Sequence, residues 1–398
     1  MKVLHVAQYI YNKNYKEFTK NKSGLGIMAQ DICSALADYD EVFLLTHAIT
    51  PGHKNKYTIL RHTWLDVIKN LRLRNLCKGF KAFAFTKTTL RSKIHLMYYA
   101  INIGCLDYWI KKINPDVIHI HEYTPPMMGF VELCYEKNRP LVVTCHGLLG
   151  EKKCEQYIKD SEKKIVGLYN KKSFYLTTIS TSIRDKLIKY YDVESDKKIK
   201  VVLNGIERKN IPVKAGSKNN YTLLCVGQLS ERKNQGQVME AVSMLDENLK
   251  NRIKLYLIGN DTLNGELLKK ADELGLQSRV ICTGFVERDK LGQYYEAADG
   301  LIVASLDEGF GLPIVESMMY GVPVVMFSDL DAVKDLYSED AFVLVSRRTT
   351  EAFSEGIEEL VNRSWDKALI QAHAQKFSLE SMGMKYHEIY GECCLEKK

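Results

Sequence analysis

No run approaches the roughly twenty uninterrupted apolar residues that a membrane-spanning helix requires, so an ordinary transmembrane protein is excluded. No apolar leader with a small-residue cleavage site precedes the strand-like start Met1-Lys2-Val3-Leu4-His5-Val6, and a cytoplasmic chain is expected. None of the ten cysteines forms a Cys-x-x-Cys pair. Cys33, Cys134, Cys145, Cys225 and Cys282 lie inside apolar segments, which predicts reduced, buried thiols. The adjacent Cys393 and Cys394 lack the partners of a zinc site and receive no function. Short repeats, low-complexity tracts and nucleic-acid-binding motifs are also missing, so no nucleic acid is expected as a partner. Acidic residues are nearly absent from one long stretch: only Asp66 stands among eleven Lys and Arg residues from Lys54 to Lys93.

What is present describes a globular chain too long for one comfortable core. Its 398 residues are 45% hydrophobic and 26% charged, with a net charge of +7, and two domains are the natural expectation. The basic stretch interleaves its cations with Trp64, Leu65, Ile68, Leu71, Leu73, Leu76, Phe80, Phe83 and Phe85. That mixture suits peripheral contact with an anionic membrane through 54–93, or a solvated helix face over an ordinary core.

Strand-like and helix-like segments alternate almost from end to end, the pattern of parallel sheets covered on both faces. Strands are predicted at Val3–Gln8, Val42–Thr46, Val117–His121, Leu141–Cys145, Leu176–Ile179 and Ile199–Val202. A second set begins at Tyr221–Gly227 and continues with Leu255–Ile258, Val280–Thr283, Leu301–Val303 and Val324–Met326. Between the sets, Asn204–Asn220 is polar and reads as a linker, while Leu379–Leu395 reads as a helix beyond the second set.

In such sheets the turns at the carboxyl ends of strands hold ligands. Glu308-Gly309-Phe310-Gly311-Leu312-Pro313-Ile314-Val315-Glu316 follows the apolar run Leu301–Ala304 and combines two acids with a glycine turn and a helix start. Its glycines permit close backbone approach, and the helix amides form a phosphate cradle. Gly227 is followed by Arg232-Lys233, a pair that could grip a diphosphate and stabilise charge as a glycosyl bond breaks. Ser23-Gly24-Leu25-Gly26 opens a helix but is no full dinucleotide fingerprint. Thr46 and His47, rather than an acid, end the second strand, which disfavours a nicotinamide site. His119 and His121 share a face of one strand and suit hydrogen-bonded core positions. His146, at a strand end before Gly147, is the stronger catalytic candidate.

These residues resemble the retaining glycosyltransferases of family 4, with their GT-B fold: α/β, two Rossmann-like doubly wound parallel-sheet domains facing across a cleft. The likeness rests on Gly24–Gly26, Thr144-Cys145-His146-Gly147, Val202-Leu203-Asn204-Gly205-Ile206, Gly227–Lys233, Gly284-Phe285-Val286, Glu308 with Glu316, and Gly321-Val322-Pro323-Val324-Val325. It implies an acceptor-binding domain at 1–205, a nucleotide-sugar-binding domain at 206–376, and a C-terminal helix, 377–398, crossing back to the first. By resemblance, Arg232 and Lys233 hold the donor diphosphate, and Glu308 with the amides of Gly309, Phe310, Gly311 and Leu312 holds the sugar and phosphate. Glu316 would take the ribose hydroxyls, Phe285 would border the base, His146 would contact the donor sugar, Gly24 would approach the diphosphate, and Gly26 and Gly227 would also belong to the donor site. The insertion Tyr11–Ser23 and the separated glycines Gly24 and Gly26 depart from the family pattern on the acceptor side.

The activity so implied is a hexosyltransferase. It would move a hexose-type sugar from a nucleoside diphosphate sugar, with UDP favoured over GDP, to a saccharide hydroxyl, with retained configuration and without a metal or other cofactor. A lipid-linked saccharide in bacterial surface polysaccharide or glycoconjugate assembly is the expected acceptor, reached on the inner face of the cell membrane. A double displacement needs a carboxylate nucleophile, and neither Glu308 nor Glu316 is read as one, which favours same-face departure and attack. A sugar-nucleotide epimerase of the same fold and a non-catalytic membrane-surface partner are the alternatives.

Overall fold

A computed structural model of the protein describes residues 1–7, 10, 24–46, 56–60, 64–121, 125–149, 154–195, 197–207 and 220–396. The chain divides into two compact units, Met1–Gly205 with Leu379–Lys398, and Ile206–Ser378.

The first unit runs β1 (Lys2–Val6), α1 (Gly24–Leu36), β2 (Glu41–Leu45), β3 (Thr58–Leu60), α2 (Trp64–Lys69), α3 (Leu73–Phe85) and α4 (Leu90–Ile113). It continues with β4 (Val117–Ile120), α5 (Pro125–Glu136), β5 (Leu141–Cys145), α6 (Gln156–Val166), β6 (Phe174–Thr178), α7 (Thr181–Tyr191) and β7 (Ile199–Val201). All seven strands pair in parallel, in the order β3-β2-β1-β4-β5-β6-β7. Every residue of β4, β5 and β6 is buried, which explains why these strands read as continuous apolar runs rather than alternating ones. Helix ends follow local chemistry: Thr89 and Ser180 accept first-turn amides of α4 and α7, and Asn114 and Asp192 close those helices in the left-handed conformation.

The second unit contains β8 (Tyr221–Val226), α8 (Gln235–Met244), α9 (Glu247–Arg252), β9 (Ile253–Ile258), α10 (Glu266–Glu273), β10 (Val280–Gly284) and α11 (Arg288–Ala297). There follow β11 (Gly300–Val303), α12 (Leu312–Met319), β12 (Val324–Phe327), α13 (Val333–Leu336), β13 (Phe342–Val345), α14 (Thr350–Asn362) and α15 (Lys367–Ala374). Its six parallel strands are ordered β10-β9-β8-β11-β12-β13. The last helix, α16 (Leu379–Leu395), packs on α1 and the strands of the first unit.

Two strands escaped the sequence reading. β3 has three residues at a sheet edge within the basic stretch, and β13 is a buried Phe-Val-Leu-Val run without a distinctive turn to announce it. The insertion 11–23 and linker residues 208–219 lie outside the described residues, as do Lys54 and Arg61 of the basic stretch.

Candidate functional site

In the second sheet the strand order reverses between β8 and β11, so the turns leaving these neighbours diverge and open a crevice at their carboxyl ends. The turn after β8 carries Gly227, Arg232 and Lys233; the turn after β11 carries Ser305, Glu308 and the start of α12. Gly227 has a φ of 141°, and a Cβ there would stand 3.0 Å from Lys233 Cε. A side chain at 227 would therefore push against the stem that carries the cation inward. Gly311, with a φ of 84°, caps α12, and Pro313 occupies its first turn, so the chain reverses sharply and aims the helix N-terminus into the crevice.

The two turns are laced together. Lys233 Nζ is ion-paired with Glu308 Oε2, and their side chains are only 12% and 13% exposed. Ser305 Oγ lies 3.4 Å from the same carboxylate oxygen. Arg232 donates from Nη1 to the Asp307 carbonyl at 2.7 Å, and the Arg232 carbonyl accepts from the Leu306 amide at 2.8 Å. Arg348, absent from the sequence reading, donates to the Ser305 carbonyl at 3.1 Å and braces the turn from behind. Lys233, Ser305, Glu308 and Gly311 line a pocket together with the apolar Val226, Ile302 and Ile314. A charge pair among apolar side chains, beside a helix N-terminus, suits an anionic ligand with a polar head.

Glu316 stands on α12 beyond this pair. Tyr295, buried on α11, donates its hydroxyl to Glu316 Oε2 at 3.0 Å, and Arg288 Nε lies 3.8 Å from Oε1. Burial, together with the Glu316 charge, raises the Tyr295 phenol well above its ordinary range, so it remains a donor. Neither Tyr295 nor Arg288 carried a sequence signal, because their partner is more than twenty residues away. Phe285 is exposed on the turn after β10, Gly309 and Leu312 are half-buried, and Phe310 is 3% exposed with its ring edge-on to Phe377. Phe310 can thus offer a ligand its backbone, while its ring belongs to the core.

His146, Gly24 and Gly26 belong to the first unit. Gly24 and Gly26 form the first turn of α1 itself rather than a loop before it. His146 follows β5; burial lowers its imidazole to about 4, so it is neutral near pH 7, and its Nε2 has no hydrogen-bond partner among the described residues. The following loop is held by Glu162, a fully buried carboxylate on α6 that accepts the Leu149 amide at 2.9 Å and the Tyr191 hydroxyl.

Beneath His146 lies a polar core. His5 Nδ1 and His121 Nε2 are 2.8 Å apart. His119 bonds Tyr390 of α16 at 2.7 Å and Thr144 at 2.6 Å, and Thr144 also meets Thr177 and Tyr386. Ligand atoms of His5, His119 and His121 lie within 4.8 Å of one another, a spacing open to a metal ion. Both nitrogens of His119 are engaged and His5 Nδ1 meets His121 Nε2, as hydrogen-bonded core positions require, while His5 Nε2 and His121 Nδ1 are buried with no hydrogen-bond partner among the described residues.

Residues 22–210 match the family model described as Glycosyltransferase Family 4, and residues 207–376 match that described as Glycosyl transferases group 1. The chain is 25% identical to an alpha-monoglucosyldiacylglycerol synthase of Acholeplasma laidlawii over 67% of this chain and 67% of that protein. It is 28% identical to a Campylobacter jejuni N-acetylgalactosamine-N,N'-diacetylbacillosaminyl-diphospho-undecaprenol 4-alpha-N-acetylgalactosaminyltransferase over 48% of this chain and about half, 52%, of that relative. An Anabaena HepE structure in complex with UDP superposes with a TM-score of 0.70 at 18% identity, covering 98% of this chain and 100% of that one.

Proposed function

We propose that this chain, which belongs to the family-4-like glycosyltransferases of GT-B architecture, moves a hexose-type sugar from a nucleoside diphosphate sugar to a hydroxyl of a lipid-linked saccharide with retention of configuration. The observation that carries this reading is the contact of Lys233 with Glu308 at the β8/β11 switch point, beside Arg232 and the N-terminus of α12. An incoming diphosphate offers Lys233 and Arg232 a more highly charged partner than one carboxylate and leaves Glu308 to accept sugar hydroxyls. As the glycosyl–oxygen bond breaks, the leaving phosphate oxygen gains charge that the two cations stabilise, and it takes the proton of the attacking hydroxyl on the same face. These cations can supply the charge compensation that a metal ion would otherwise provide, so turnover should persist in a chelator.

Glu316, held by Tyr295, is assigned the ribose, Phe285 the edge of the base, and neutral His146 a hydroxyl of the donor sugar. UDP is favoured over GDP, a preference supported by the UDP named for the similar Anabaena structure. The acceptor draws support from relatives named for a diacylglycerol lipid and for a diphospho-undecaprenol-linked sugar. Such acceptors fit bacterial surface polysaccharide or glycoconjugate assembly, with residues 1–205 binding the acceptor, 206–376 the donor, and 54–93 in peripheral contact with an anionic membrane.

Incubation of the enzyme with UDP- and GDP-hexoses and a lipid-linked saccharide, followed by NMR of the anomeric proton, tests this. Retained configuration with a UDP donor is expected. Inversion overturns the mechanism, and isomerisation of donor alone would favour the epimerase alternative.

A further inference from the structure

Of the nineteen large hydrophobic side chains exposed among the described residues, eight are concentrated between 65 and 94: Leu65, Ile68, Leu73, Phe80, Phe85, Leu90 and Ile94 on α2, α3 and the start of α4, and Leu71 in the link between α2 and α3. Single exposed apolar residues are ordinary, whereas a concentration of them marks a surface meant to be covered. On α3 the exposed positions Leu73, Cys77, Phe80 and Ala84 recur at helical spacing and form one stripe, with Lys81 and Phe85 beside it. Leu73, Phe80 and Phe85 are 79%, 63% and 81% exposed, while Asn75 and Gly79 on the opposite side are buried.

The cations of this region divide into two sets. Arg72 Nη2 pairs with Asp107 at 2.7 Å, Arg74 Nη2 with Glu136 at 2.7 Å, and Lys78 with Glu132 and Glu136 at 3.5 and 3.7 Å. These three brace the helices internally, a correction to any view of the whole stretch as free positive charge. Lys69, Lys81, Lys87 and Arg91 are exposed, and no carboxylate lies within ion-pair distance of them among the described residues.

We propose that the solvent face of α3 is a lipid-docking surface, in which Leu73, Phe80 and Phe85 enter the headgroup–acyl boundary of an anionic membrane while Lys81, Lys87 and Arg91 contact its headgroups. The stripe supplies apolar insertion and the unpaired rim supplies charge complementarity. A second copy of the chain is a poorer occupant, since two such faces would bring unpaired cations against one another. This deepens the lipid-linked acceptor assignment and rests on it only for its purpose, so the two fail separately.

The test is co-sedimentation of the full chain with phosphatidylglycerol/phosphatidylcholine vesicles that contain no acceptor. Phe80→Ser with Phe85→Ser should cut vesicle affinity about tenfold or more, with the circular dichroism melting curve unchanged because both rings already face water. Lys81→Glu with Lys87→Glu should cut it roughly tenfold at low salt, with the difference shrinking as salt screens the charges. Transfer to a detergent-dispersed acceptor should be the same in the wild type and the Phe variant. Wild-type vesicle binding by the Phe variant overturns the proposal. So does a concentration-dependent dimer in light scattering that the Phe variant abolishes, which would identify the face as a self-association surface. Phe-dependent vesicle binding without transfer to any lipid-linked saccharide would leave the surface standing and remove the acceptor assignment.

Discussion

Residues 1–205 with 379–398 bury His5, His119, His121 and Glu162, whereas residues 206–378 bury no histidine, carboxylate or cation among those described, only Gln235 and four serines. Both units are doubly wound parallel sheets, so the contrast does not come from topology. It comes from where each places its polar chemistry. The second unit keeps its charges at the switch point, where Lys233, Glu308 and Glu316 remain within reach of a ligand. The first fixes polar groups inside its fold, where α16 supplies Tyr390 to His119 and Tyr386 to Thr144. One unit is organised to exchange partners and the other to keep them.

Acid should separate the units most. Burial lowers His5 to about 3 and His146 to about 4, and holds His119 and His121 well below the usual imidazole range. Between the unfolded value near 6.5 and these folded values, the unfolded chain binds protons that the folded unit refuses. Stability is therefore retained above about pH 6.5 and falls as pH drops below it toward 4. Hydrogen exchange at pH 7.5 and 5.5 should show the first unit opening well before the second. Equal loss of protection would erase the contrast.

Lys233→Ala tests the second unit's side of it. Loss of the cation should reduce kcat about a hundredfold or more, because the charge it stabilises develops as the bond breaks. It should leave the fold intact, since Glu308 lines a pocket, retains Ser305 Oγ at 3.4 Å and is reached by water there once the cation is gone. Steady-state kinetics showing less than about a threefold loss would remove Lys233 from the mechanism.

Tyr390→Phe tests the first unit's side. It strips a 2.7 Å partner from His119 and leaves a buried ring nitrogen unsatisfied, a cost of about 1–3 kcal/mol. Urea denaturation should register that loss, while Tyr386→Phe, whose contact with Thr144 is 3.2 Å, should cost less.

How far these features were legible in the sequence depends on their range. Parallel strands announced themselves as buried apolar runs, and the strand-end turns could be singled out because a glycine next to charge after such a run has a local signature. The pairing of Arg72, Arg74 and Lys78 with Asp107, Glu136 and Glu132 could not be seen, since it depends on how α3 packs against its neighbours. Nor could the link from His119 to Tyr390, which joins residues 271 positions apart. The charge pattern alone made 54–93 look uniformly basic; its fold makes it half braced and half bare.

The smallest expected effect lies at Glu316. Tyr295 fixes one carboxylate oxygen from a buried position, and the other faces Arg288. If Glu316 takes the ribose, its orientation decides whether both sugar hydroxyls are met, so Tyr295→Phe should raise donor KM about threefold to tenfold with kcat nearly unchanged, the loss of a single hydrogen bond to a charged group. The same variant should bind UDP and 2'-deoxy-UDP with more similar affinities than the wild type does. A merely structural tyrosine would weaken both nucleotides alike. Glu316→Gln separates the layers: if it leaves ribose discrimination untouched, the ribose assignment fails, and if only Tyr295→Phe is silent, the positioning role fails. Either result would show whether Glu316 in the second unit, like His119 in the first, depends on a buried tyrosine.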